Sequence, residues 1–151
     1  MVRKTHHDVS RRISASLASG AEYLAMGEIA AHTGLLASQA PRNNASFDVI
    51  VNSHDLTKGC RVEVKHSRSG FKSIIKGSEY DVLIFIYHPC TIENGKVVYN
   101  NKDGREIYVF PQNIVQKTIS GTTGTNFNPD KIRGGCRKYQ NAYEHISDRC
   151  S

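Results

Sequence analysis

Phe47-Asp48-Val49-Ile50-Val51-Asn52, followed after a polar loop by Arg61-Val62-Glu63-Val64-Lys65, decides the fold of this chain. Both stretches alternate with the period of two expected of β-strands. In the first, Phe47, Val49 and Val51 share one face, and Asp48 and Ile50 the other. In the second, Arg61, Glu63 and Lys65 share a face, and Val62 and Val64 the opposite one. The polar segment 53–59 ends in Gly59 and reads as a hairpin loop. Antiparallel pairing around that loop sets Asp48 across from Glu63, with Cβ atoms about 5 Å apart. Lys65 falls on the same face.

The flanks read outward from this hairpin. Residues 14–32 are rich in Ala, Leu, Glu and Met, which predicts a helix, with Ser14 or Ser16 to cap it and Gly34 to stop it. Its small residues, among them Ala18, Ala21, Ala25 and Ala30, allow close approach to a sheet. Residues 1–12 are polar and basic, an arm or the start of that helix. A short strand is expected at 35–39, and one covered on both faces at 82–87. Asn94-Gly95 and Asp103-Gly104 are turn signals around a run at 96–99 and before a strand at 106–110. A short helix is expected at 112–117, a Gly/Thr/Asn-rich surface loop at 120–130, and a closing helix at 139–146. This order predicts an α/β domain over 13–151, with a mixed central sheet flanked by helices.

Composition narrows the function. The chain has 151 residues, 38% of them hydrophobic, with a net charge of +6. That is enough for one folded domain, and the charge favours an acidic partner such as nucleic acid. The apolar run at 80–87 is too short to span a bilayer. No secretory signal is expected, because the basic N-terminus lacks an apolar stretch. Cys60, Cys90, Cys136 and Cys150 form no CxxC pair and read as reduced thiols of an intracellular, cytoplasmic protein. Cys136, His145 and Cys150 lack a fourth ligand for zinc.

Two facing carboxylates repel, and a bound divalent cation removes that cost. Hard oxygen ligands suit Mg²⁺, with Mn²⁺ as a substitute, and such an ion activates water beside a phosphate. Lys65 can orient that water or hold the phosphate. A solvated Glu-x-Lys on a sheet surface is the plain alternative for the same residues. Glu22 and Glu28 of the first helix both lie within reach of the sheet, and the apolar stripe does not choose between them.

Gly20-x-Glu22-Tyr23-Leu24-Ala25, Thr33-Gly34-Leu35, the Ser38 to Pro41 segment, Phe47 to Val51, Val62 to Lys65 and Tyr80 to Phe85 together resemble the PD-(D/E)XK nuclease superfamily. The likeness runs over about residues 18–146 and is nearest to the small branches that include intron-encoded homing endonucleases and Holliday-junction resolvases. It implies a restriction-endonuclease-like core, Asp48 and Glu63 as metal ligands, Lys65 as catalytic lysine and Glu22 as the supporting helix acid, with Glu28 as runner-up. Phe47 stands where the family pattern has proline.

The resemblance also implies a Mg²⁺-dependent endonuclease acting on double-stranded DNA. Lys58, Arg61, Arg68, Lys72 and Lys76 are the candidate phosphate contacts around the site. A second basic group, Lys131, Arg133, Arg137 and Lys138, lies near the C-terminus. One site per chain predicts a homodimer or homotetramer for double-strand cleavage. Segments 67–77 and 113–130 are the expected base readers of a homing or restriction enzyme, whereas a resolvase would read branched shape through phosphates. Two readings without catalysis stand beside these: a DNA-binding module on the same fold, and a scaffold whose basic face binds an acidic protein.

Overall fold

A computed structural model describes residues 2–41, 46–100, 104–120 and 125–151, with side chains from Asp8 onward. The expected turn residue Asp103 and residues 121–124 of the expected 120–130 loop lie outside these.

Helix α1 (Val2–Thr33) is 32 residues long: it runs on through the basic segment read as an arm or helix start, so Ser14 and Ser16, expected as caps, lie inside it. It is amphipathic through Ala21, Ala25 and Ile29, which are buried against the sheet. Gly34 ends it at φ +69, a conformation that glycine adopts without a Cβ penalty.

Strands β1 (Leu36–Gln39), β2 (Val49–Asn52), β3 (Gly59–Ser67), β4 (Ser73–Ile74), β5 (Val82–Tyr87), β6 (Cys90–Glu93), β7 (Lys96–Tyr99) and β8 (Glu106–Pro111) follow. Helix α2 (Gln112–Ser120), strand β9 (Asn126–Phe127) and helix α3 (Glu144–Ser147) complete the order. The main sheet is mixed, in the order β1-β2-β3-β5-β8. Its β2–β3 hairpin is antiparallel, β3–β5 parallel and β5–β8 antiparallel. The central strand is therefore β3, which carries Glu63 and Lys65.

Each face of the sheet covers its own core. Val49, Val51, Val62, Val64, Ile84 and Val109 pack against Ala25 and Ile29 of α1 and Ile146 of α3. Leu83, Phe85, Tyr108 and Phe110 pack on the other side against Val115 and Ile119 of α2, Phe127, Ile132 and Tyr139. Strand β5 has no exposed face, as its nearly continuous apolar sequence requires.

Two further expectations change. The 120–130 segment is not all loop: β9 pairs with β4, and Phe127 is fully buried. The expected helix over 139–146 is split into a single turn of 3₁₀ helix at Arg137–Tyr139 and the short α3. Asn141 interrupts it at φ +53, where its N–H donates to the Ile107 carbonyl of β8 at 3.0 Å. That sheet contact takes the donor a continuous helix would have used.

Candidate active site

Strand β3 outruns its partner. Strand β2 begins only at Val49, opposite Val62, so among the described residues no strand pairs with the β2-facing edge of β3 from Val64 onward. Asp48 closes the first of these positions. Its backbone N–H donates to the Val62 carbonyl at 2.9 Å, and its own carbonyl accepts from Ala40 at 2.8 Å. Its carboxylate Oδ2 accepts the Val64 N–H at 2.8 Å. A buried backbone donor without a strand partner is thus satisfied by a charge-assisted bond. The carboxylate is fixed in place by the main chain. The regular β2–β3 pairing ends at Val49–Val62, and Asp48 also bonds to Val62, so the expected direct pairing of Asp48 with Glu63 is not part of the ladder; Asp48 is tied to β3 through Val62 and Val64 instead.

Glu63 and Lys65 point to the face opposite α1, because Val62 and Val64 are committed to the α1 core. Glu63 is buried, and Lys65 Nζ pairs with its Oε1 at 2.5 Å. Burial pushes the Glu63 carboxyl up; Lys65 opposes this, and the charges of Asp48 and Glu22 add to the rise. Tyr80 lies on the same side, with its hydroxyl accepting from Gln116 Nε2 of α2 at 3.2 Å. Burial raises its hydroxyl too, and the Glu63 charge contributes.

Glu22 reaches this end of the sheet from α1. Its carboxyl is raised by burial first and then by Asp48, while Gln39 and Lys65 pull it down. Glu22, Asp48, Glu63 and Lys65 therefore share one electrostatic environment. A cleft of about 440 Å³ opens beside them, lined by Ser19, Glu22, Tyr23, Gln39, Ala40, Pro41, Phe47 and Asp48. Glu28 is elsewhere. It pairs with His32 at 3.2 Å, and His32 stacks on Tyr143 at 4.3 Å between ring centroids. Of the two helix acids that pattern leaves open, Glu22 is the one beside Asp48.

Gln39 is a lining residue that sequence reasoning missed. Its Nε2 donates to Glu22 Oε2 at 3.4 Å, and its Oε1 accepts a long 3.5 Å contact from the Tyr23 hydroxyl. The signal was present but needed the register: Gln39 pairs with Val49, next to Asp48.

The five candidate phosphate contacts divide. Lys58 donates to the C-terminal Ser151 carbonyl. Arg61 is held by Asp81 at 3.1 Å, which Arg149 also reaches at 3.4 Å. Lys72 and Lys76 are exposed and Arg68 half-buried, all on the connection leaving β3. His66 turns to the other side of β3 from Lys65, as expected, and burial followed by its neighbour His88 pushes its pKa down.

Among the described residues, no group of three or more His, Cys, Asp or Glu side chains is gathered to hold a metal. What Asp48 and Glu63 provide is a pair of carboxylates. No family model matches the chain, and no curated protein matches its sequence. No helix among the described residues is long and apolar enough to cross a membrane.

Proposed function

We propose that this protein is a metal-dependent DNA endonuclease on a PD-(D/E)XK core, cutting both strands of duplex DNA as a homodimer or homotetramer inside the cell. The observation that carries the reading is the convergence of Glu22, Asp48, Glu63 and Lys65, from three separate elements, at the one end of the sheet where β2 stops short.

The donor set suits Mg²⁺. That ion commonly takes only one or two protein carboxylates and completes its shell with waters and substrate phosphate. Glu63 is buried and its carboxyl is pushed up by burial and by the charges of Asp48 and Glu22, against the opposing pull of Lys65, so a bound cation would relieve the remaining repulsion. Asp48 and Glu63 would hold the ion. When bound, it supplies a Lewis acid at the scissile phosphate and a water more easily deprotonated than bulk water. Lys65 has three N–H donors and spends one on Glu63. The others can hold a non-bridging phosphate oxygen or orient the attacking water. Glu22, raised and half-buried, is placed to accept a proton or to order a water through Gln39.

A sequence-specific homing or restriction enzyme is favoured over a resolvase. Of the segments expected to read bases, 113–120 is α2. Strands β6 and β7 instead form a separate two-stranded ribbon, closed by a tight turn with Asn94 at φ 50 and Gly95 at φ 74. Thr91, Glu93, Lys96 and Val98 lie exposed on it. A ribbon of two strands is a size the major groove admits.

The test is incubation of the full chain with supercoiled plasmid, a linear library of diverse sequence and a four-way junction, each with Mg²⁺ or with EDTA. The reading expects Mg²⁺-dependent cuts at a defined sequence in the linear library. Preference for the junction would assign the resolvase alternative. Binding of duplex without cutting of any substrate would leave the non-catalytic binding module.

A further inference from the structure

A second concavity lies on the same face of the sheet as Glu63 and Lys65. It has a volume of about 590 Å³ and is lined by Lys117, Lys131, Arg133 and Lys138 around Ile114, Ile132 and Tyr139, with Thr118 between them. None of its described lining residues is acidic. Its place on that face follows from the pairing. Glu63 lies beside Leu83 and Lys65 beside Phe85, and both belong to the core that includes Ile132 and Tyr139. Helix α2 joins the two regions, with Gln116 bonded to Tyr80 near Glu63 and Ile114 and Lys117 on the concavity.

The sequence builds this feature deliberately enough to be read. Gly134 and Gly135, both at φ +83, reverse the chain between Arg133 and Lys138. Few residues other than glycine adopt two consecutive conformations of this kind. Beyond the turn, Lys138 Nζ lies over the ring of its neighbour Tyr139, 5.2 Å from its centroid. Four like charges around one hollow repel each other, and no carboxylate lining it offsets them. A flat basic surface would suffice to attract a phosphate backbone. This site adds an apolar, aromatic floor to its cationic rim, at a volume within the roughly 300–1,000 Å³ of small-ligand sites.

We propose that this pocket holds one nucleoside phosphate of the bound nucleic-acid strand, its phosphate among Lys117, Lys131, Arg133 and Lys138 and its base or sugar on Tyr139, Ile114 and Ile132. The assignment rests on the nuclease reading only in taking the strand to be that of the same substrate. The chemistry it selects, an anion joined to a flat apolar group, is shared by a free nucleotide, so the test separates the two.

Lys131 and Arg133 are exposed, so Lys131→Ala/Arg133→Ala removes charge without opening a core. Duplex and single-stranded oligonucleotide affinities are measured by fluorescence anisotropy in EDTA over a series of salt concentrations, with thermal melting as a fold control. The expected result is at least about a tenfold loss of affinity and a fall of up to about two in the slope of log K against log salt. ATP is expected to compete weakly with the oligonucleotide for the wild-type chain. Wild-type affinity and salt slope in the double variant would overturn the proposal. ATP binding that the double variant loses, with oligonucleotide affinity unchanged, would assign the pocket to a free nucleotide and also overturn it. Cleavage is scored separately. The double variant is expected to cut more slowly than wild type at sub-saturating DNA, in proportion to its lost affinity. Absence of cutting by the wild type would sink the nuclease reading and leave the binding result to stand alone.

Discussion

Glu63 bears the conflict on which the candidate site turns: it is buried, the charges of Asp48 and Glu22 act on it, and a single ammonium offsets them. Its carboxyl is raised, so the folded chain holds that proton more tightly than the unfolded chain does. Stability in the absence of metal therefore falls as pH rises from the ordinary glutamate value of 4.5 through the raised one. Glu63→Gln is expected to flatten this part of the dependence. Melting curves in EDTA between pH 4.5 and 7 would show the variant gaining on wild type as pH rises; parallel curves would contradict the assignment. That Glu63 and Lys65 share a face was legible because strand alternation needs only the residues themselves; the seat of Asp48 was not, because the ladder is irregular where β2 begins. The helix acid was not, because Glu22 and Glu28 flank the buried stripe of Ala21, Ala25 and Ile29 on opposite sides. Helical periodicity treats those flanks alike; only the position of the sheet end distinguishes them. Glu22→Gln is expected to lower cleavage about 10- to 100-fold, the range of a supporting interaction, and Glu28→Gln to leave it unchanged. Equal rates for the two variants in a cleavage time course would contradict this.

The β2–β3 hairpin is the element that makes the site, and its turn sets the register. Asp55 accepts from Ser53 Oγ at 2.7 Å, Thr57 Oγ1 at 2.8 Å and Thr57 N at 3.1 Å. These bonds, that of Ser53 first, hold its carboxyl down at about 2. A depressed carboxyl contributes stability above its ordinary value of 3.8, and that contribution is lost as pH falls from about 4 towards 2. Asp55→Ala is expected to melt earlier than wild type at pH 6, with the gap closing near pH 2; a constant gap would contradict the turn's role. The hairpin was readable because both its strands alternate and its loop is polar. Strands β4 and β9 were not, because two residues are too short to show a period and Phe127 sits in a Gly/Thr/Asn-rich segment. Phe127 nonetheless packs between Phe85 and Phe110, at 6.4 and 5.2 Å between ring centroids. Phe127→Ala is expected to cost about 3–5 kcal/mol in urea unfolding. A loss under about 1 kcal/mol would show that this segment is not part of the core.

Over the whole molecule, the sheet separates two tasks. One face is closed by α1 and α3 around an apolar core. The other carries Glu63 and Lys65, and beyond α2 the basic pocket of Lys131 and Arg133. The sheet's central hairpin and its flanking first helix followed from pattern alone. The strand order did not, since a parallel β3–β5 pair and an antiparallel β5–β8 pair are set by the connections rather than by local alternation. The measurement that bears most directly on the central claim compares wild type with Lys65→Ala on the same linear DNA library, with Mg²⁺ and with EDTA, scoring cleavage rate and duplex affinity together. The account predicts Mg²⁺-dependent cutting by wild type, a loss of at least about 10²–10³-fold in the variant, and affinity changed by less than a few fold. Cutting by Lys65→Ala at the wild-type rate, or wild-type cutting that persists in EDTA, would contradict it.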